Sequence, residues 1–178
     1  MANRIYEEYK DFNANPNGNC GITVGLVDDK SIYDWKVTLT GPKESFYKGG
    51  LFILNVHFPP DYPNTAPEVC FLTPIYHVNV NPIAPKQGEG QSLGHVCIST
   101  LNWWKPEYKM REVLLNIYSL FYMANPDSAY GLDRAREYNN EIEVYAEKAK
   151  FFTKKYANPK DPNQPKIDRN QDWDFTLG

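Results

Sequence analysis

The chain has 178 residues, 42% hydrophobic and 23% charged, with a formal net charge of −3. That length fits one domain of roughly 100–200 residues able to bury about 70% of its unfolded surface, and the slight acidity gives no general attraction to nucleic-acid phosphates or anionic lipid. No apolar run approaches the ~18 residues of a membrane-crossing helix, and the polar opening MANRIYEEYKDF lacks a signal peptide's apolar centre; a cytoplasmic or nuclear protein without nucleic-acid or membrane partners is expected.

Ile5, Tyr9 and Phe12 recur at helical spacing over 2–13, and the NPNG run closes that helix. Ile22, Val24 and Leu26, then Trp35, Val37 and Leu39, then Phe52, Leu54 and Val56 alternate with mostly polar neighbours, which predicts three half-buried strands. A fourth short strand at 68–72 lies between Pro67 and Pro74. The intervals are too short for helical crossovers, so the sheet should be an antiparallel meander. Val113, Leu114, Ile117, Leu120 and Phe121 predict a largely buried helix over 110–123, the backing of the sheet. Beyond Asn125-Pro126-Asp127, helices are expected over about 129–138 and 140–156, with Ile142, Tyr145, Ala149 and Phe152 on one face of the second. The class is therefore α+β, with one domain over 1–157 and a short tail over 158–178. That tail is rich in Pro, Asn and Asp and should lie on the surface or be poorly ordered. Its Trp173 and Phe175 read most simply as exposed aromatics, the alternative being docking onto the domain or a partner.

Cys20, Cys70 and Cys97 form no C-x-x-C pair, which fits free thiols in a reducing compartment and offers no structural metal site. Cys20 follows a turn and Cys70 reads as a small buried hydrophobe. Local sequence alone gives Cys97, between Val96 and Ile98, the same reading. Its wider surroundings argue otherwise: the turn-rich FPPDYPNTAPE at 58–68, YHVNV at 76–80, and HVCISTLNWWKP at 95–106 place a thiol at a loop edge, with His77 and Asn79 before it and Trp103 and Trp104 after it.

That order of parts resembles the ubiquitin-conjugating enzymes, the E2 family. GPKESFYKGG fits the family's GP-x-x-S-x-Y-x-G-G loop, FPPDYP its FP-x-x-YP, and His77-Val78-Asn79 its His-Pro-Asn signature except at the middle residue, the likeness covering roughly 3–156. Several such motifs in order are specific where one would be weak. The resemblance implies a UBC-like fold: a four-stranded meander with an N-terminal helix, a central helix and two C-terminal helices. It implies that Cys97 accepts ubiquitin, or a related modifier, from an E1 activating enzyme as a thioester and passes it to a lysine of a protein substrate, usually with an E3 ligase. ATP is used by the activating enzyme, so no cofactor or metal is expected on this chain. Asn79 then matches the asparagine credited with oxyanion or loop stabilisation, His77 is structural, and Asp127 and Ser128 stand at the acceptor-lysine gate. Tyr130, Leu132 and the NPDS turn are candidates for a pocket that desolvates the lysine. The ligase surface would comprise the first helix with Arg4, the 59–67 loop with Pro63 and Asn64, and the 104–108 loop with Trp104, Pro106 and Glu107. Of the two tryptophans, Trp104 is expected in the core, and Ala66-Pro67 matches a dipeptide that is often cis.

Departures carry expectations too. Val78 replaces the signature proline and adds an N–H, so the turn should be looser or held by another contact. Residues 80–96 insert a glycine-punctuated segment before Cys97, expected to be a mobile loop that gates acceptor access or contacts the donor modifier, or else a tolerated surface insertion. Asn102 falls near a position where many partners of RING ligases carry a basic residue, and Asn64 where an aromatic favours HECT ligases, so both pairings lose a supporting residue, with RING kept ahead of HECT. His95, two residues before the thiol, would activate it if charged and close; otherwise it is a solvated loop histidine. Two other classes stay open: a catalytically silent ubiquitin-binding scaffold of the variant type, and a cysteine hydrolase built from Cys97, His77 and Asn79. The hydrolase is the weaker, because His77 and Asn79 stand one residue apart on a turn and papain-type order puts the cysteine first.

Overall fold

The structure is a computed structural model that describes residues 2–86, 90–160 and 170–175. Helix α1, Ala2–Ala14, leads through a 3-10 turn at Pro16–Gly18 into strands β1 (Ile22–Asp28), β2 (Ser31–Thr40), β3 (Leu51–His57) and β4 (Glu68–Phe71). The strands pair antiparallel in the order β1-β2-β3-β4, the expected meander. Ile22 faces Leu39, Trp35 faces Val56 and Leu54 faces Phe71 across the ladders. The period-two alternation read from the sequence is largely the buried face: Ile22, Val24, Trp35, Val37, Leu39, Phe52, Leu54 and Val56 are core and the residues between them half-buried or exposed, but Leu26, beside the register shift before Asp28, is only half-buried.

After β4 a long irregular segment carries the His77-Val78-Asn79 motif and Cys97 before the one-turn helix α2 (Ser99–Asn102). Helix α3 (Met110–Ser119) buries Met110, Val113, Leu114 and Ile117 against the core. It is shorter than the predicted 110–123. Ser119 Oγ donates to Asn116 O, and the amides of Leu120, Phe121 and Tyr122 reach back three residues rather than four, the tighter pattern of a helix running out. A 3-10 turn at Pro126–Ser128 precedes α4 (Leu132–Asn140) and α5 (Ile142–Tyr156). Helix α4 starts three residues later than expected, because Ala129 is extended, Tyr130 N is bonded to Val78 O at 2.8 Å, and Gly131 at φ +95° makes the entry. On α5, Tyr145, Ala149 and Phe152 are buried as predicted, but Ile142 at the first turn is exposed.

Glu8 ties three elements together. Its carboxylate accepts from Met110 N at 2.7 Å, at the start of α3, from Tyr62 Oη at 2.8 Å and from Arg4 Nε at 2.6 Å. A carboxylate at a helix N-terminus satisfies an orphan N–H and meets the positive end of the dipole.

Two expectations about loops fail. The cis peptide is Tyr62–Pro63, not Ala66–Pro67; the chain reverses at Pro59–Tyr62, where Tyr62 N meets Pro59 O at 3.0 Å, whereas Ala66-Pro67 already leads into β4. The tail aromatics are not left in solvent. Trp173 is 9% exposed, and Phe175 packs edge-on to Tyr76 and Phe152 with ring centroids at 5.1 and 4.9 Å. Residues 161–169 and 176–178 of the predicted tail lie outside the described residues. Among the described residues no helix is long and apolar enough to cross a membrane.

Candidate active site

Residues 72–80 run through the interior beside β4, nearly all of them buried. The His77-Val78-Asn79 turn is held at every residue. His77 is fully buried; its Nε2 lies 3.0 Å from Leu120 O, and its Nδ1 accepts from Asn79 N at 3.0 Å. Because Nδ1 accepts, Nε2 carries the proton and donates to the carbonyl. Burial, with a smaller contribution from the nearby Arg134 cation, holds this imidazole down at about 4, the Leu120 carbonyl opposing, so it is neutral at physiological pH. Both nitrogens are occupied, and the Cys97-His77-Asn79 hydrolase arrangement is not assembled.

The N–H that Val78 adds in place of proline has a partner. It donates to Tyr145 Oη at 3.2 Å; Tyr145 Oη is in turn 3.0 Å from Tyr47 Oη, which donates to Tyr76 O at 2.8 Å. The turn is therefore held by another contact rather than loosened, and a buried donor that would otherwise cost about 1–3 kcal/mol is satisfied. Desolvation pushes the Tyr145 phenol up to about 12, so it stays protonated.

Asn79 has no solvent exposure. Its Nδ2 donates to Asn125 O at 2.7 Å and to Ser128 O at 3.0 Å, while its Oδ1 accepts from Asn125 N at 2.8 Å. Every polar atom of the side chain thus goes to the 125–128 turn. Its backbone oxygen accepts from Cys97 N at 2.9 Å and fixes the thiol-bearing residue beside it. On that turn Asp127 is exposed and Ser128 half-buried, with Asn125 Oδ1 accepting from Asp127 N at 3.1 Å.

Cys97 is half-exposed, between the buried Val96 and Ile98. A bridge between Val80 and Val96 delivers it to the surface, and α2 follows at once. Asn102 at the end of α2 points its Nδ2 at Cys97 Sγ, 3.2 Å away, a contact the sequence reading did not anticipate: the residue stood out there only for its place near a ligase-contacting position.

His95 matches neither expectation set for it. It is half-buried, with Nδ1 2.6 Å from Tyr130 Oη, and burial lowers its pKa against a weaker opposing pull from Glu68. It is neither a cation beside the thiol nor a solvated side chain. The Tyr130 phenol is pushed up, mainly by burial with Cys97 and Cys70 adding, and stays protonated. Tyr130 therefore does adjoin the site. Leu132 does not line a closed pocket here, being 84% exposed.

The segment expected to be a mobile loop is anchored at both described ends. Asn81 N meets His95 O at 2.9 Å and Gly94 N meets Asn81 O at 2.7 Å. Buried Asn81 also donates through Nδ2 to Ile83 O, Gln91 O and Ser92 O at 2.9 to 3.1 Å, clamping one side of the insertion to the other. Gly94, at φ +79°, lies so near β4 that a Cβ would collide with the Phe71 carbonyl. From the tail, Trp173 N donates to Pro82 O and Asp172 Oδ1 accepts from Ala84 N, each at 2.8 Å. Residues 87–89, at the tip, lie outside the described residues. A second unanticipated residue is Arg134 of α4, a buried guanidinium that donates to the carbonyls of His77 and Val80 at 3.3 Å each and to Tyr130 O.

The segments expected to face a ligase, α1 and the 59–67 and 104–108 loops, lie against one another. Arg4 Nη2 donates to Tyr108 O at 2.8 Å and Trp104 Nε1 to Pro63 O at 2.7 Å, joining α1 to the 59–67 and 104–108 loops. Asn64, Pro106 and Glu107 are exposed on those loops. Trp104 is half-buried against Tyr62, while Trp103 is 79% exposed.

A family model described as ubiquitin-conjugating enzyme matches residues 4–153, most of the chain. The chain belongs to the ubiquitin-conjugating enzyme family. As an E2 it has the UBC fold, α+β, with the N-terminal helix, the four-stranded antiparallel sheet and the further helices described above. Its class of function is E2-like ubiquitin conjugation, which in this family engages ubiquitin, an activating enzyme and ligases. Among the E2's described residues no group of three or more His, Cys, Asp or Glu is placed to hold a metal ion.

Proposed function

We propose that this chain is an active E2 that receives ubiquitin, or a related modifier, from its E1 as a thioester on Cys97 and passes it to a substrate lysine. The observation that carries this reading is Cys97 itself: a half-exposed thiol whose amide is fixed 2.9 Å from Asn79 O, in a chain of this family. Silent relatives that only bind ubiquitin have no use for an accessible, positioned thiol there.

In charging, the Cys97 sulfur attacks the carbonyl carbon of the E1 thioester and the E1 thiolate leaves. In transfer, the lysine nitrogen attacks the same carbon, the C–N bond forms, the C–S bond breaks and the electron pair departs with the Cys97 sulfur. The ATP that drives the sequence is used by the E1, so no nucleotide or metal is called for on this chain. A thioester is already activated toward amines, and the protein's task is to position it and to help the lysine lose a proton. For a free lysine of pKa about 10.4, deprotonation at neutral pH costs about 4–5 kcal/mol. Asp127 and Ser128, on the turn that Asn79 holds, together with Tyr130, form the candidate acceptor gate.

In this reading Asn79 is a loop-holding residue, supported by its three side-chain bonds to the turn, and His77 is structural, supported by its depressed pKa and two occupied nitrogens. Arg4, Pro63, Asn64, Trp104, Pro106 and Glu107 form the ligase-facing surface, with RING ligases favoured over HECT because Asn64 lacks the aromatic character a HECT partner prefers. Cysteines that form no disulfide fit action in the cytoplasm or nucleus.

The test is incubation with E1, ATP and ubiquitin, followed by nonreducing and reducing gels of wild type and Cys97→Ser. A thiol-sensitive adduct on the wild type, lost or turned into a thiol-resistant ester in the variant, is the expected result. Absence of any adduct with ubiquitin and with related modifiers would overturn the reading in favour of the silent scaffold.

A further inference from the structure

We propose that Asn102 is a catalytic hydrogen-bond donor to the Cys97 sulfur, stabilising the negative charge that sulfur carries when it attacks in charging and when it leaves in transfer. The proposal rests on Cys97 being the modifier-carrying thiol. Its first support is position. Asn102 closes α2, with its backbone N bonded to Ile98 O at 3.0 Å and the neighbouring Leu101 buried, so the amide group is presented from a fixed turn. Nδ2 stands 3.2 Å from Sγ, within the range for the larger sulfur acceptor.

The second support is elimination among the site's other donors. Both amide hydrogens of Asn79 go to Asn125 O and Ser128 O, so it has none left for the reacting group. His77 is closed off by Leu120 O and Asn79 N. His95 faces Tyr130 and is kept neutral by burial. Asn102 is the described side chain whose donor meets the sulfur.

The chemistry suits that place. As the thiolate forms to attack the E1 thioester, and again as the C–S bond breaks and the electron pair returns to sulfur, charge grows on the atom that Nδ2 faces. The lysine attacks as the neutral amine, and its protons, like the one the Cys97 thiol loses in charging, go to water. A hydrogen bond to a charged acceptor is about twice as strong as one to a neutral acceptor, so the contact favours the charged forms over the thiol or thioester. That is the differential needed to lower a barrier.

The experiment compares wild type with Asn102→Ala and Asn102→Asp in two arms. In the first, the free protein is alkylated with iodoacetamide at pH 7. A donor raises the thiolate share but weakens its nucleophilicity with a Brønsted slope of about 0.4–0.5, so removing it should slow alkylation by about threefold rather than more. In the second, protein already carrying ubiquitin is discharged onto free lysine after ATP is removed. Asn102→Ala should discharge roughly tenfold more slowly, less than the ~100-fold or more of a buried oxyanion donor, and Asn102→Asp, which has no N–H and adds like charge, more slowly still. Because Asn102 is exposed, melting temperatures should match, which separates the effect from unfolding. Discharge of Asn102→Ala within twofold of wild type overturns the proposal while leaving Cys97 as the carrier. If the wild type carries no modifier, the carrier reading fails and the catalytic role of Asn102 is overturned with it, an outcome distinct from a charged protein that discharges normally in Asn102→Ala.

Discussion

Asn79 and His77 meet across one turn, and together they turn the signature motif into a scaffold for the residues around the thiol. Replacing Asn79 with Ala removes three side-chain hydrogen bonds and leaves two carbonyls and an amide of the 125–128 turn short of partners. At about 1 kcal/mol for each bond, stability should fall by roughly 3 kcal/mol in denaturant titrations. A loss under 1 kcal/mol would mean that the turn holds itself. His77 gives a pH signature. Its folded pKa of about 4 lies below the ordinary 6.5, so between these values the unfolded chain binds a proton that the folded chain does not. Stability from this group is complete above pH 6.5 and drains away as pH falls toward 4, by roughly 3 kcal/mol in all. His95 is shifted the same way and adds to the slope. Unfolding titrations at pH 7 and 4.5 should show this decline, and His77→Gln should flatten it; an unchanged slope in the variant would contradict the assignment. At this scale the sequence carried the identities of Cys97, Asn79 and His77 through a motif. It could not carry the Asn102–Cys97 contact or the carbonyls gathered by Arg134, which depend on where α2 and α4 lie in space.

The strands were readable because their burial follows a local period, and one face of each is core. Helix ends were less so. The first turn of α4 is set by a tertiary partner, Val78 O for Tyr130, which no local pattern encodes, while α3 runs out in three-residue bonds within its own last turn, Ser119 Oγ to Asn116 O among them. The insertion and the tail show the same limit: each is polar and turn-rich read alone, yet Trp173, Asp172, Pro82 and Ala84 fasten one to the other. This strap predicts that Trp173→Ala lowers stability by about 3 kcal/mol, as for a large buried aromatic truncated to alanine, and speeds hydrogen exchange of the 80–86 amides more than those of β1–β3. Unchanged exchange at 80–86 would show that Asn81 alone holds the insertion.

Across the whole molecule, the sheet and α3 form the core, the motif-bearing segment runs between β4 and α2, and the two tryptophans after Cys97 divide their duties. Trp104 packs on Tyr62 and donates to Pro63 O, while Trp103 stands in solvent. Trp104→Ala should therefore destabilise the fold by about 2–3 kcal/mol through lost packing, and Trp103→Ala by no more than about 0.5 kcal/mol; similar melting temperatures for the two variants would contradict this division. Ligase-stimulated discharge should weaken in Trp104→Ala, assayed at a temperature where it stays folded. The central claim, that Cys97 carries the modifier, is tested most directly by intact-mass spectrometry of the protein after incubation with E1, ATP and ubiquitin, without reductant. The account predicts a mass increase of one ubiquitin less one water, removed by dithiothreitol and absent in Cys97→Ala. An unmodified mass with ubiquitin and with every related modifier tried, or an adduct that persists in Cys97→Ala, would contradict it.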